Sequence, residues 1–352
     1  MNSIFLNTTP LAEDLEYVLD NTKNLWEEIK DQRIFITGGT GFFGCWLLES
    51  LLWANAYLNL NVSIMVLTRN VDFFRIKAPH LAGDSAITFH LGDITDYQYP
   101  EGIFSHIIHA ADETRTDTSQ SDQEKIISTI VKGAEHTLNF AVKCRAKKIL
   151  FTSSGAVYGK QPSDLRLISE SYTDNLVIKE VQDAYGKGKL LAEKLFIEYA
   201  DKFNLEAKIA RCFAFVGPYL PLNKQFAVGN FILNGLKGES IHIKGDGATY
   251  RSYLYAADLV IWLWHILFRG QSGQPYNVGS EQEISIKDLA YLVAQHFNPV
   301  PEVLIDGKPI IGQVPERYIP SLQKLRDDLG LRCWIDLDNS IKKTVRYFLK
   351  TE

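Results

Sequence analysis

Tyr185 and Lys189 stand four residues apart in Asp183-Ala184-Tyr185-Gly186-Lys187-Gly188-Lys189-Leu190-Leu191-Ala192-Glu193, and that spacing is the first sign of chemistry. On a helix it sets an ammonium beside a phenol on one face. A free phenol titrates at about 10, too high to exchange protons at neutral pH. A neighbouring cation favours the phenolate and makes Tyr185 a usable acid and base. Upstream, the apolar run Lys148 to Ser153 ends in Phe151-Thr152-Ser153-Ser154-Gly155-Ala156-Val157-Tyr158-Gly159. A strand ending there presents the Ser154 hydroxyl to a substrate oxygen held about 3 Å from the phenol. Tyr-x-x-x-Lys is common on surface helices, so the pair gains meaning only from what must position it.

The strongest positioning element is Arg33 to Thr37, an apolar strand running into Gly38-Gly39-Thr40-Gly41-Phe42-Phe43-Gly44 and a predicted helix, Cys45 to Tyr57. A strand, glycines three apart and a helix form a dinucleotide-binding turn. Gly38 makes the turn, Gly41 lets backbone amides approach a pyrophosphate, and Gly44 lets the helix pack close. Thr40, Phe42 and Phe43 belong to the same cofactor-side set, with the phosphates on the helix's positive end. An oxidised nicotinamide ring nearby also favours the Tyr185 phenolate.

The next strand, Val62 to Leu67, delivers Thr68 and Arg69 to the adenosine ribose. An NAD site usually has Asp or Glu there, whereas a guanidinium pairs with a 2′-phosphate. NADP(H) is therefore expected, with NAD(H) as the alternative and a solvated loop cation as the competing reading of Arg69. Two further strand ends, Gly92-Asp93-Ile94-Thr95 and His109-Ala110-Ala111, face the same cleft. Asp93, beside Ile94, is placed to accept from the adenine amino group, and Ala110 and Ala111 are small enough to lie against a dinucleotide. Thr152 completes the cofactor-side residues.

The chain has 352 residues, 46% hydrophobic and 22% charged, enough for a large core and two lobes. A net charge of −5 argues against nucleic acid. Cys45, Cys144, Cys212 and Cys333 are scattered without a CxxC pair and read as reduced packing residues. No run approaches the roughly 20 apolar residues of a membrane span, and no signal peptide is recognisable, so cytoplasm is the expectation. Pro10 to Lys30 has amphipathic spacing and is expected to lie as a helix against the main body. Alternating strands and helices, including a long helix from Gln120 to Cys144, require a parallel sheet.

Through TGGTGFFG, GDITD, HAA, SSGAVYG and YGKGK the chain resembles the extended short-chain dehydrogenase/reductases that act on nucleotide sugars. The resemblance implies an α/β fold: a Rossmann-type doubly wound parallel sheet with a smaller C-terminal substrate lobe. Residues 1–30 form a helical extension, 31–216 the dinucleotide-binding domain with a return around 250–282, and 217–249 with 283–352 the substrate lobe. Ser154, Tyr185 and Lys189 match the family's catalytic triad, with Lys189 also holding the nicotinamide ribose. Asn230, Arg251 and Arg317 match substrate-side positions, where a guanidinium fork suits diphosphate oxygens. The alternative for either arginine is a salt bridge between lobes. His242 and Asp258 read as structural. The resemblance also implies a homodimer.

Departures from the family narrow the reaction. Sugar 4,6-dehydratases carry Asp-Glu directly after the catalytic Ser/Thr, and decarboxylases usually keep the Glu, where this chain has Gly155-Ala156. Ala214 and Gly188 replace a usual Asn and Ser. The leading reading is an NADP-dependent 4-ketoreductase of a 4-keto-6-deoxy nucleotide sugar, with a 4-epimerase holding tightly bound NAD as the alternative. A catalytically silent dinucleotide sensor needs no triad, and a structural assembly protein has only the N-terminal helix in its favour.

Overall fold

The computed structural model describes residues 9–112, 119–175, 181, 183–224, 226–308, 312 and 314–351; residues 1–8 of the N-terminal extension lie outside this set. In chain order the first elements are α1 Ala12–Thr22, β1 Arg33–Thr37, α2 Phe42–Leu58, β2 Ser63–Thr68, α3 Val71–Lys77, α4 Pro79–Ala82, β3 Ile87–Leu91 and β4 His106–His109. They continue with α5 Gln120–Lys143, β5 Lys148–Ser154, α6 Ala184–Lys202, β6 Glu206–Cys212, β7 Phe215–Val216, α7 Ala227–Leu236, β8 Ile241–Ile243 and β9 Tyr250–Arg251. The last are β10 Leu254–Tyr255, α8 Ala256–Arg269, β11 Pro275–Val278, β12 Ile284–Ser285, α9 Ile286–Ala294, β13 Val303–Ile305, β14 Arg317–Tyr318, α10 Gln323–Leu329 and α11 Leu337–Thr351.

The central sheet has seven strands in the order β11-β6-β5-β4-β1-β2-β3. From β3 to β6 each neighbouring pair is parallel, which the intervening helices allow by returning the chain to the same edge. Apolar runs such as Ile34-Phe35-Ile36 and Ile149-Leu150-Phe151 are fully buried, as strands covered on both faces must be. Aromatic side chains fill the layer between sheet and helices: Phe35 meets Phe140 edge-on at 4.9 Å, and Phe151 stacks on Phe196 at 4.6 Å. This is the doubly wound Rossmann arrangement. The order reverses between β1 and β4, the place where such sheets open a crevice at their carboxyl ends. β4 begins at His106 rather than at Phe104, and its register puts His109 opposite Thr37.

Packing divides the chain into two units. The first holds the described parts of 1–159, 173–212 and 260–276; the second holds 160–172, 213–259 and 277 onward. The sequence places the crossings at 216, about 250 and about 282. The differences have local causes: β7 pairs with β10, which carries 213–259 together, and Ile168 N donates to Ile319 O at 3.0 Å, which draws 160–172 to the second unit. That unit is built on short pairings, β12-β9-β14 and β8-β13 among them. In it Asp258 is structural, accepting from Trp334 N and Ile335 N at 3.1 Å each, and the His242 side chain is exposed. Among the described residues no helix is long and apolar enough to cross a membrane.

The N-terminal extension is not one helix. α1 stops at Thr22, whose hydroxyl donates to Val18 O at 2.6 Å and accepts from Trp26 Nε1 at 3.0 Å, and a 3₁₀ turn, Trp26–Ile29, follows. Trp26 is fully buried against Trp264, 4.9 Å away edge-on. Glu28 then clamps the starts of two strands: it lies 3.1 Å from His106 Nε2 and 2.7 Å from Lys148 Nζ, and Lys148 also donates to Phe268 O at 2.9 Å. The His106 hydrogen bond, with Lys148 beside it, holds the Glu28 carboxyl down to about 2 against the cost of burial. A lowered carboxylate contributes stability that is complete above its unfolded value and fades as pH falls toward the folded one. Glu28→Gln is therefore expected to lose about 1–3 kcal/mol of stability in chemical denaturation at neutral pH. Its deficit against wild type should shrink between about pH 4.5 and about pH 2; a deficit independent of pH would show that the Glu28 charge is not what anchors the extension.

Candidate active site

The carboxyl ends of β1, β4 and β5 and the start of α6 supply the site. At the end of β1, Gly38 takes φ +70°, and a Cβ there would sit 2.3 Å from Ala110 O. At Gly44 it would sit 2.3 Å from Gly38 O, so α2 begins hard against the turn. Gly41 is the N-cap of α2 with no side-chain cap and no acidic residue in the first turn. Backbone amides and a positive helix end without a capping carboxylate fit a dinucleotide diphosphate. Thr40 lies in this turn, its carbonyl accepting from Lys77 Nζ at 2.9 Å, and Phe42 and Phe43 open α2.

Thr37 ties the neighbouring strand ends together. Its hydroxyl accepts from Ala111 N at 3.2 Å and meets His109 Nδ1 at 3.2 Å, while Ala110 N donates to Thr37 O at 3.1 Å. This fixes Ala110 and Ala111 beside the glycine turn. Burial, with the Lys189 charge adding to it, holds His109 down to about 3, which favours the neutral ring. Thr68 is buried at the end of β2, and its hydroxyl accepts from Asn70 N at 3.3 Å. Asp93 makes a local turn, accepting from Thr95 N at 3.0 Å and Thr95 Oγ1 at 2.8 Å. Burial pushes the Asp93 carboxyl up, but those bonds and the Arg69 charge outweigh it and leave it below its ordinary value. Arg69 is largely exposed and 4.0 Å from Asp93, and Ile94 is tucked against α5 at Gly133.

At the heart of the site Lys189 is 1% exposed. Its ammonium donates to Thr152 O at 3.0 Å and lies 5.0 Å from the centre of the Phe151 ring and 5.5 Å from that of Tyr185. The Thr152 hydroxyl in turn donates to His109 O at 3.4 Å. Tyr185 and Lys189 thus come together as their spacing predicts. Ser154 ends β5, and its hydroxyl accepts from Ala156 N at 3.1 Å, capping the short 3₁₀ turn Gly155–Tyr158. A Cβ on Gly186 would sit 2.4 Å from Ala156 O, so a glycine after Tyr185 lets α6 press on that turn. At Gly188, where the family usually has Ser, a Cβ would sit 2.9 Å from Ile130 Cδ1 of α5.

Three groups in this unit escape sequence reasoning. Asp112, just past β4, accepts from Tyr185 Oη at 2.6 Å and lies 3.3 Å from Lys189 Nζ, bridging the pair. The other two are the buried pair Arg211 and Glu193. Arg211 Nε and Nη2 reach the Glu193 carboxylate at 3.0 and 2.8 Å, and Nη1 donates to Tyr158 Oη at 3.0 Å. Ser153 Oγ donates to the same carboxylate at 2.5 Å. The residue beside Ser154, the turn after it and the helix of Lys189 are therefore tied to one ion pair.

In the second unit Arg251 and Arg317 fall on the paired strands β9 and β14. Each guanidinium covers the other strand's tyrosine, Arg251 over Tyr318 at 5.8 Å and Arg317 over Tyr250 at 4.5 Å. Arg317 also pairs with Glu283, a salt bridge within one unit and not the bridge between lobes that the sequence offered as the alternative. Asn230 lies half-buried on α7.

The model of the NAD dependent epimerase/dehydratase family matches residues 34–279. UDP-glucuronic acid decarboxylase 6 of Arabidopsis thaliana is 29% identical over 301 residues, 85% of this chain and 84% of that protein. UDP-glucuronic acid decarboxylase 1 of Xenopus tropicalis is 28% identical, covering 91% of this chain and 72% of its own. Among solved structures, UDP-glucose 4-epimerase of Thermotoga maritima with UDP-glucose superposes with a TM-score of 0.75 at 22% identity, covering 91% of this chain and 99% of that one. The dTDP-glucose 4,6-dehydratase of Streptomyces venezuelae with NAD bound gives 0.73 at 24% identity, covering 90% and 97%.

Breaking a buried pair by removing one charge typically costs about 3–5 kcal/mol. Glu193→Gln is expected to lower stability by that order in denaturant melts and to cut turnover. A variant as stable as wild type would show that the pair does not hold the site.

Proposed function

Because the chain belongs to the NAD dependent epimerase/dehydratase family, we propose that it transfers hydride at carbon 4 of a nucleotide sugar, as an NADPH-consuming 4-ketoreductase of a 4-keto-6-deoxy nucleotide sugar. The observation that carries this reading is a phenol beside a buried ammonium at the end of β5, with only Gly155 and Ala156 following Ser154. Tyr185 moves a proton at the oxygen on carbon 4, Ser154 orients that oxygen, and Lys189 supplies the fixed positive charge. When bound, the dinucleotide supplies or accepts the hydride. Dehydration and decarboxylation require further group or proton movements, and neither Gly155 nor Ala156 has a side chain to serve them. The decarboxylase names of the relatives are therefore not carried over.

The choice of NADPH rests on Thr68 and Arg69. No carboxylate side chain ends β2, and the Arg69–Asp93 pair at 4.0 Å is long and exposed, a contact worth about 0–1 kcal/mol. Arg69 is thus available to a 2′-phosphate. Such a charge-assisted pair is worth about 1.5–3 kcal/mol, or about ten- to a hundredfold in preference over NADH.

Rates of reduction of a 4-keto-6-deoxy nucleotide sugar with NADPH and with NADH should show that preference in wild type and lose it in Arg69→Ala. Tyr185→Phe should abolish turnover while leaving NADPH affinity nearly intact. Equal use of both dinucleotides by wild type would remove the basis for NADP(H). An active Tyr185→Phe enzyme would sink the mechanism, and turnover of a 4-hydroxy sugar without added dinucleotide would favour the 4-epimerase.

A further inference from the structure

A carboxylate in contact with the catalytic phenol is a costly neighbour for a group meant to ionise. Lys189 alone would draw Tyr185 toward the phenolate, the form that removes a proton from a sugar hydroxyl. Asp112 works against it in two ways. Its charge offsets that of Lys189, 3.3 Å away, and the hydrogen bond it accepts at 2.6 Å exists only while the phenol keeps its proton. Among the described residues, the other titratable groups around the pair do not restore the imbalance. His109 on β4 is neutral, the Cys212 thiol at the end of β6 is pushed up by burial, and Asp183 is engaged in capping α6 through Gly186 N at 2.8 Å.

The geometry points to Asp112 as a positioning residue that keeps Tyr185 as the neutral phenol, so that the resting site is set to give a proton rather than take one. That state suits reduction. Carbon 4 gains a hydride, drawn from reduced dinucleotide, and the carbonyl π pair moves onto oxygen. The oxygen takes the Tyr185 proton as the phenol O–H bond breaks, and solvent later reprotonates the phenolate. The directional half of this inference rests on the hydride-transfer reading above; the effect of Asp112 on the phenol does not.

The test follows phenolate absorbance in the near ultraviolet during a pH titration of the purified protein. Subtracting the Tyr185→Phe trace isolates this tyrosine from the other fifteen of the sixteen in the chain. The same subtraction is made in the Asp112→Asn background, with dinucleotide binding as the check that each variant is folded. Asp112→Asn should lower the Tyr185 midpoint by about one unit or more, roughly a tenfold rise in phenolate at a given pH. Asp112→Glu should return it toward wild type. A midpoint unchanged or raised in Asp112→Asn overturns the assignment, as does an Asp112→Glu midpoint as low as that of Asn. In a parallel assay, reduction by Asp112→Asn should fall away at lower pH than in wild type. A lowered midpoint in a protein that reduces no 4-keto sugar would leave the Asp112 assignment standing and sink the ketoreductase.

Discussion

Burying the Lys189 ammonium is the constraint from which the rest of the site follows. A charge with 1% of its surface exposed has to be met by oxygen and by ring faces. The oxygen comes from Thr152 on β5 and Asp112 after β4, and the ring faces from Phe151 and Tyr185. These contacts require α6 to lie close on the end of β5, which the absence of a side chain at Gly186 permits. They also require a neutral neighbour at His109, which burial and the same ammonium both enforce. The buried Arg211–Glu193 pair anchors the other side of α6 to the residue before Ser154. The glycine turn, the Tyr185–Lys189 pair and the strand ends form one packed assembly.

Much of this was legible in the residues. The glycine spacing gave the turn after β1, and the four-residue interval gave the meeting of Tyr185 with Lys189, because both are local features set by backbone geometry. Long apolar runs separated by helical periodicity gave the parallel sheet, with strand ends displaced by one or two residues. The illegible parts are tertiary pairs. Asp112 meets Tyr185 across 73 residues, and Thr37 meets His109 across 72. Nothing local in sequence marks such partners. Arg317 illustrates the same limit, since Glu283, 34 residues away, is found only when β14 is placed.

In the proposed reading, electrostatics tie the position of these groups to the direction of chemistry. The α2 terminus has no acid in its first turn and β2 ends without a carboxylate side chain, so the dinucleotide side is open to anions. At the reacting end, opposite charges of Lys189 and Asp112 flank one phenol. An enzyme that only returns a sugar to its starting oxidation level needs the phenol equally in both states. One that consumes reductant needs it protonated first.

The central claim is hydride transfer to carbon 4, and isotope tracing tests it most directly. A 4-keto-6-deoxy nucleotide sugar is incubated with NADPH carrying deuterium at both C4 positions of the nicotinamide, and the product is read by nuclear magnetic resonance. The account predicts a single deuterium on carbon 4 of the sugar and none elsewhere. Consumption of the keto sugar with no deuterium at carbon 4, or with label at another carbon, would contradict it.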